Sequence, residues 1–274
     1  PPLIAEMKKR IDPQQGAFFK RGEAELFIAW RGLEPVGTIC AAEDSVTNQQ
    51  QGKKDCVFGF FEYVQDLAVF EALLIHIHEW ARARGLDALF GPFNLDYEDG
   101  YGVLIEGRDC PAVLSCGHSP EYYREFMEME RFGFQKARGD NLAFRLRVNE
   151  DTPAFQQLSR LAARVRKRRG FSVRSARIDR WEEEADNVFR IINASLDHLE
   201  GRIPWQRDAL VSTLEQFRKI ADPELILFAE DDSEVVGFFP ALPNLNEALI
   251  HANGLRYPWD TGRLWWQMRR QPEW

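Results

Sequence analysis

Short apolar runs separated by polar turns fill the first part of the chain, and their spacing predicts strands. Leu26-Phe27-Ile28-Ala29, a turn containing Gly32, and then Val36-Gly37 through Ala41 read as a β-hairpin. The same spacing returns two hundred positions later. There, Ile226-Leu227-Phe228-Ala229 is followed by the turn Asp231-Asp232-Ser233, then Val236-Gly237 and Ala241, and Glu34 is matched by Glu234. One such hairpin is commonplace. Two with eight matched positions predict two copies of one fold.

After the first hairpin the pattern predicts a polar loop from Asn48 to Lys54 and an aromatic strand from Cys56 to Val64. Asp66 caps a predicted helix that runs to about Arg84 and stops at Gly85, with Val69, Leu73, Ile77 and Trp80 at helical spacing toward a sheet. A buried strand from Leu86 to Phe93 follows, then a Gly- and acid-rich loop from Asn94 to Gly102. Short strands are expected at Val103–Glu106 and Pro111–Cys116. Ser119-Pro120 opens a helix expected to end at Gly133, and a strand is expected from Asn141 to Val148.

Asp151-Thr152-Pro153 begins a new helix, which sets the expected boundary between a first domain, 1–150, and a second, 151–274. That helix passes Leu158, Leu161 and Val165 and ends in the basic run Arg164 to Arg169. A strand (Phe171 to Ile178) and two helices (Trp181 to Leu199, Gln206 to Ala221) then lead to the second hairpin. Overlaid, the copies give strand, two helices, hairpin, strand, helix, strand, helix, strand. The first copy is expected to lack its opening strand and the second to stop early. An α/β class is the consequence.

Composition narrows the function. Among 274 residues, 45% are apolar and 28% charged, ample for packed cores. A formal charge of -8 argues against a nucleic-acid partner, because a polyanion is repelled before any local patch can act. Four cysteines in a chain of this length suggest a reducing compartment, not a disulfide scaffold. No apolar stretch is long enough to span a bilayer, and the chain opens with Pro1-Pro2 and not with a signal peptide. The expected location is the cytoplasm, with peripheral contact to the inner membrane left open; a missing start Met suggests a fragment.

The combined element order resembles the GNAT (N-acyltransferase) fold. Phe18-Phe19 with Gly22-Glu23-Ala24, Phe90-Gly91-Pro92-Phe93-Asn94, Gly102-Val103-Leu104-Ile105-Glu106-Gly107 and Pro120-Glu121-Tyr122-Tyr123 are similar to a bacterial family of tandem GNAT-like proteins. The second half agrees through Ile203-Pro204-Trp205, Ala221-Asp222-Pro223-Glu224-Leu225, Pro243-Asn244-Leu245-Asn246 and Asn253-Gly254. Some members of that family are regarded as bacterial ceramide synthases, which join a fatty acyl thioester to a sphingoid amine. The resemblance implies two GNAT-like domains with mixed central sheets, both truncated here, with acyl-CoA as cosubstrate and a small-molecule amine, such as a long-chain sphingoid base, as acceptor. In that reading the second copy binds the thioester and the first shapes the acceptor pocket.

Two departures stand out. Glu62-Tyr63-Val64-Gln65-Asp66-Leu67-Ala68 occupies the place of the Gly-rich pyrophosphate loop, without Gly and with two carboxylates. Met129 precedes Gly133-Phe134 where the family often has a general-acid tyrosine. In the second copy the corresponding loop would follow Trp274.

N-acyl transfer needs an acceptor for the amine's proton and a donor to the departing thiolate. Glu62, at a strand end, is a candidate base or amine anchor, or else part of the helix-cap region ending at Asp66. Asn94, Asp96 and Glu98 crowd a loop after a buried strand, with Glu98 a candidate catalytic carboxylate and Asn94 and Asp96 candidate substrate-binding groups; a solvated acidic loop is the plainer account. Tyr122 and Tyr123 divide between core packing and a pocket wall, Tyr123 being the candidate catalytic hydroxyl and Tyr122 a substrate-binding one. Asn244 and Asn246, with His251, are candidates for a polar head or for a turn and cap.

The basic segment, with Arg164 and Arg168 at its centre and Arg174 and Arg177 beyond, is either a solvated helix face or a site for CoA phosphates or anionic lipid headgroups. Cys110, Cys116 and His118 lack a second ligand pair at zinc spacing, so no metal is expected. His76, beside Leu73 and Trp80, reads as a satisfied core histidine. The expectation is thus an acyl-CoA-dependent N-acyltransferase. The alternative is a non-catalytic GNAT-like module that binds a ligand or partner. The sequence leaves the oligomeric state open.

Overall fold

The structure is a computed structural model that describes residues 3–95, 102–110, 117–137, 139–144, 149, 151–198, 204–218, 221–242 and 248–270. The class is α/β. The chain forms two compact units, Pro1–Lys136 with Asn244–Trp274, and Ala137–Pro243.

The first unit is built on a four-stranded sheet of β1 (Gly22–Arg31), β2 (Glu34–Asp44), β3 (Asp55–Tyr63) and β4 (Ala88–Phe90), in that order. The first two pairings are antiparallel and the last is parallel. The parallel pairing requires a crossover, and the helix Leu67–Ala83 supplies it. Asp66 caps that helix by accepting from the Ala68 N–H at 2.9 Å, as its position predicts. Val69, Phe70, Leu73, Leu74, Ile77 and Trp80 form the buried stripe against the sheet. On the opposite face Phe18, Cys40, Ala42, Val57, Phe93 and Leu95 form a second cluster. With both faces covered, β2 reads as almost continuously buried from Val36 to Ala42.

The second unit carries an antiparallel sheet of β5 (Ser172–Ser175), β6 (Ile226–Asp231) and β7 (Glu234–Pro240). The helices Trp181–Leu196 and Arg207–Arg218 intervene between β5 and β6. A mixed sheet was expected in both copies; among the described residues this one is antiparallel throughout, because a pair of helices and not a single crossover helix returns the chain from β5 to β6.

The two hairpins agree in register as well as in sequence. Ala29 faces Gly37 and the ladder then slips, so that Trp30 faces Pro35; Ala229 faces Gly237 and slips in the same place, so that Glu230 faces Val235. Their covered faces differ. In the first unit Phe27 and Ala29 pack toward the crossover helix while Leu26, Ile28 and Trp30 are 42, 52 and 58% exposed. In the second, Ile226, Phe228 and Val235 are the face that joins the helical core, and Phe239 and Val173 of the other face are exposed. Each hairpin thus carries the helix layer that the other lacks.

Several predicted elements come out differently. The strand expected at Leu86–Phe93 pairs only over Ala88–Phe90, and Val103–Glu106 forms no strand. Ser119 does not cap a helix: its Oγ accepts from the Leu104 N–H at 2.9 Å, and the helix Glu121–Met127 ends well before Gly133. Within the loop expected at Asn48–Lys54 a helix, Ser45–Gln51, forms, capped by Asp44 and closed by Gly52 at φ +62°. The strands expected at Pro111–Cys116 and Asn141–Val148 lie wholly or partly outside the described residues, and Asn141–Phe144 has no regular structure.

Candidate functional site

A one-residue bulge at the end of β3 organises the site. Thr38 pairs with Glu62 and Cys40 with Gly59, so Ile39 faces two residues, Phe60 and Phe61. Phe60 sits at φ +43°, a left-handed conformation that a bulky residue adopts only under local constraint. Its groups are held on both sides. The Phe60 N–H donates to Asn94 Oδ1 at 3.2 Å, and Thr38 Oγ1 donates to the Phe60 carbonyl at 2.8 Å. The extra residue inverts the alternation. Phe58, Phe61 and Tyr63 all join the helix-side core, whereas Phe60 packs with the opposite cluster and Glu62 is left exposed.

Beyond Phe58 the two parallel strands separate, and their backbones are in contact at the fork. The Phe93 N–H donates to the Phe58 carbonyl at 2.7 Å, and a Cβ placed on Gly59 would lie 1.3 Å from the Phe93 oxygen. Only glycine fits there.

Tyr122 and Tyr123 come to this strand end on the helix Glu121–Met127. Tyr123 is buried and stacks on Tyr63, ring centroids 4.3 Å apart. Its hydroxyl donates to Glu62 Oε2 at 2.9 Å and accepts from the Tyr63 N–H at 3.0 Å. The Tyr122 hydroxyl donates to the Tyr63 carbonyl at 2.5 Å. Burial, and the nearby Glu62 charge, push the Tyr63, Tyr122 and Tyr123 hydroxyls above the ordinary tyrosine range. They stay protonated at neutral pH, and those of Tyr122 and Tyr123 act as donors. The Tyr63 hydroxyl is buried with no partner among the described residues. Phenol hydroxyls and one exposed carboxylate on a strand end can bind an ammonium group and hold a polar neighbour against it.

Four of the sequence candidates are therefore on one stretch of strand: Glu62, Tyr122 and Tyr123 in direct contact with it, and Asn94 at the bulge two residues earlier. Glu62 is no helix cap. Asp66 does that work, and it also pairs with Arg31. Asp96, Glu98, Asn244 and Asn246 lie outside the described residues, as does the Arg168 side chain; Arg164 is exposed on the helix Pro153–Arg169. Arg174 and Arg177, grouped with that basic run in the sequence, are taken up elsewhere: both bind the buried Glu184, at 2.6 and 3.0 Å, and Arg174 also binds Glu230 at 2.6 Å. His76 is exposed and its ring Nδ1 lies 2.9 Å from the Ala72 carbonyl, so it is not a core residue. No group of metal-ligating side chains forms among the described residues.

Sequence reasoning passed over Tyr63 as a site residue and the polar recess of about 460 Å³ in the second unit, lined by Arg177, Glu183, Asn187, Arg190, Glu230 and Ser233 among others. The run of aromatics before Glu62 signalled a buried strand but gave no sign of which face Tyr63 would take.

No family model matches the chain, and no solved structure does. Among curated proteins it is 31% identical over 271 residues to the bacterial ceramide synthase of Caulobacter vibrioides (strain NA1000 / CB15N), an alignment covering 98% of this chain and 68% of that protein. It is 28% identical over 245 residues to Protein YghO of Escherichia coli (strain K12), covering 89% of this chain and 61% of that protein. The chain thus spans 68% and 61% of these two relatives' own lengths. Similarity at this level along nearly all of the chain places it in one family with the first relative: the chain belongs to the bacterial ceramide synthase-like family.

Proposed function

We propose that this chain is part of a tandem GNAT-like N-acyltransferase, with residues 1–150 and 151–274 as the two copies, which transfers the acyl group of acyl-CoA to a long-chain sphingoid amine. The observation that carries the site assignment is the exposed Glu62 carboxylate, held by the Tyr123 hydroxyl at the end of a bulged strand. The family membership supplies the reaction class, since the relative is a ceramide synthase by name.

In this mechanism Glu62 binds the acceptor's ammonium and passes its proton to solvent, leaving a neutral amine. The amine nitrogen attacks the thioester carbonyl, the C–N bond forms, the C–S bond breaks, and the CoA thiolate takes up the proton that the nitrogen gives up on becoming an amide. Tyr123 is a positioning residue, fixing one carboxylate oxygen while the other faces the substrate. Tyr122 ties the same strand end to its helix through the Tyr63 carbonyl.

Residues 62–68 do not fit the pyrophosphate of CoA. The Asp66 carboxylate already accepts from the Ala68 N–H and pairs with Arg31, so a negative charge occupies the helix N-terminus where a phosphate would have to bind. No thioester contact is assigned to this loop. That occupied N-terminus favours the second reading, a non-catalytic GNAT-like module that binds a ligand or partner.

The deciding experiment incubates a full-length protein containing this chain with sphinganine and palmitoyl-CoA and follows the amide product by mass spectrometry. Amide formation that requires both substrates supports the transferase. No product, together with sphinganine or coenzyme A binding by calorimetry, leaves the binding module.

A further inference from the structure

The helix Pro153–Arg169 differs from the other long helices: every residue in it whose side chain is described is exposed. Its large apolar residues are nevertheless sorted. At about 100° per residue, Phe155, Leu158, Leu161, Ala162 and Val165 fall within roughly a third of the circumference. The four large ones are 38, 64, 52 and 42% exposed. Gln156, Arg160, Arg164 and Lys167 take the opposite side.

Charge distinguishes this stripe from an ordinary core face. Between Pro153 and Arg169 there are six Arg and Lys residues and no Asp or Glu, in a chain whose formal charge is -8. A protein groove would cover the stripe but gives no reason for a helix that carries six Arg and Lys residues and no carboxylate of its own. An anionic bilayer accounts for both, since acyl chains take the stripe and headgroup phosphates take the basic residues. The helix cannot instead cross the membrane: no described helix is long and apolar enough.

We propose that the helix Pro153–Arg169 lies in the surface of an anionic lipid membrane, with Phe155, Leu158, Leu161 and Val165 facing the acyl chains. The assignment stands without the transferase reading. Where both hold, it brings the protein to the phase in which a long-chain amine is dissolved.

The test is co-sedimentation of the full chain with vesicles of phosphatidylglycerol and phosphatidylcholine in equal parts, and with vesicles of phosphatidylcholine alone. Binding is expected to the first and not the second, and to fall as salt is raised. R164Q with K167Q should weaken it about 25-fold, roughly fivefold for each charge removed. L158Q with L161Q, which keeps every charge, should weaken it at least about tenfold. These side chains are exposed, so the variants should keep the parent's circular dichroism spectrum.

Absence of sedimentation with anionic vesicles overturns the proposal, as does equal binding to neutral ones. Binding that survives L158Q with L161Q also overturns it. So does a chain that ignores vesicles but self-associates through a contact those substitutions abolish, which would assign the stripe to a second copy.

Discussion

Removing a single oxygen, in Tyr123→Phe, separates what holds the strand end from what the carboxylate does there. The ring keeps its place on Tyr63, 4.3 Å between centroids, and on Phe61, at 5.8 Å, so almost no apolar burial is lost. The hydroxyl takes two bonds with it, the one accepted from the Tyr63 N–H and the one donated to Glu62. Leaving a buried strand N–H without an acceptor costs about 1–3 kcal/mol. The bond to Glu62 adds little, because an exposed carboxylate regains water when its partner goes. Glu62→Gln should accordingly change stability by no more than about 0.5 kcal/mol, as exposed substitutions do. Amide hydrogen exchange at Tyr63 reads the effect where it occurs. A cost of about 1–3 kcal/mol corresponds to exchange roughly 5- to 150-fold faster in Tyr123→Phe, with no change in Glu62→Gln. Unaltered protection at Tyr63 in Tyr123→Phe would refute this account of the strand end. An equal loss in Glu62→Gln would make the carboxylate its structural anchor.

Gly59→Ala should disrupt the fork between β3 and β4 and reduce amine binding or acylation with it, since the new Cβ would lie 1.3 Å from the Phe93 oxygen and 2.5 Å from Asn94 Cα; thermal unfolding of the variant beside Gly237→Ala, where the nearest atom is 3.9 Å away, checks this, and equal stability of the two contradicts it. Burial pushes the Cys40 and Cys56 thiols up to about 12. A thiol reagent at pH 8 should therefore leave both untouched in the native protein while labelling exposed Cys110, as peptide mapping would show. Because their folded values are raised, their contribution to stability is present at neutral pH and lost as pH rises from about 9, the ordinary value, toward 12. Burial alone would raise the Glu184 carboxyl, but hydrogen bonds from Arg174 and Arg177 outweigh it and hold the group below its ordinary 4.5. That stabilisation is lost as pH falls below that value, so Glu184→Gln should flatten the acid limb of the stability curve while costing about 1–3 kcal/mol near neutrality, since Arg174 and Arg177 keep Glu230 and Glu183 as partners. An unchanged acid limb in urea melts contradicts it.

The hairpins were legible because apolar alternation and turn spacing are local properties, and the two hairpins preserve both down to the slip after Ala29 and Ala229. The crossover helix was equally plain, with Asp66 as cap and Gly85 as stop. The helix Ser45–Gln51 was missed although its signals were present, Asp44 at the cap and Gly52 at the close; its interior, Ser-Val-Thr-Asn-Gln-Gln-Gln, offers no apolar stripe, so its weak propensity was read as a loop. In the site, Glu62 and the tyrosine pair could be named one by one. That they meet depends on the helix Glu121–Met127 packing on a strand sixty residues away, a tertiary event with no local signature. The role of Tyr63 depends on the bulge at Phe60. Strict alternation from Phe58 would send Tyr63 to the face opposite Tyr123, and one inserted residue reverses that.

The most direct test of the account is the steady-state rate of sphinganine N-acylation by full-length protein carrying Glu62→Gln, set beside the parent and Tyr123→Phe. A group that takes the amine's proton contributes about 10²–10⁴-fold, so Glu62→Gln should lose at least about a hundredfold in kcat/KM while folding normally. Tyr123→Phe should lose less and recover partly at saturating amine. Activity in Glu62→Gln equal to the parent's, with the fold intact, would remove the chemistry from this strand end.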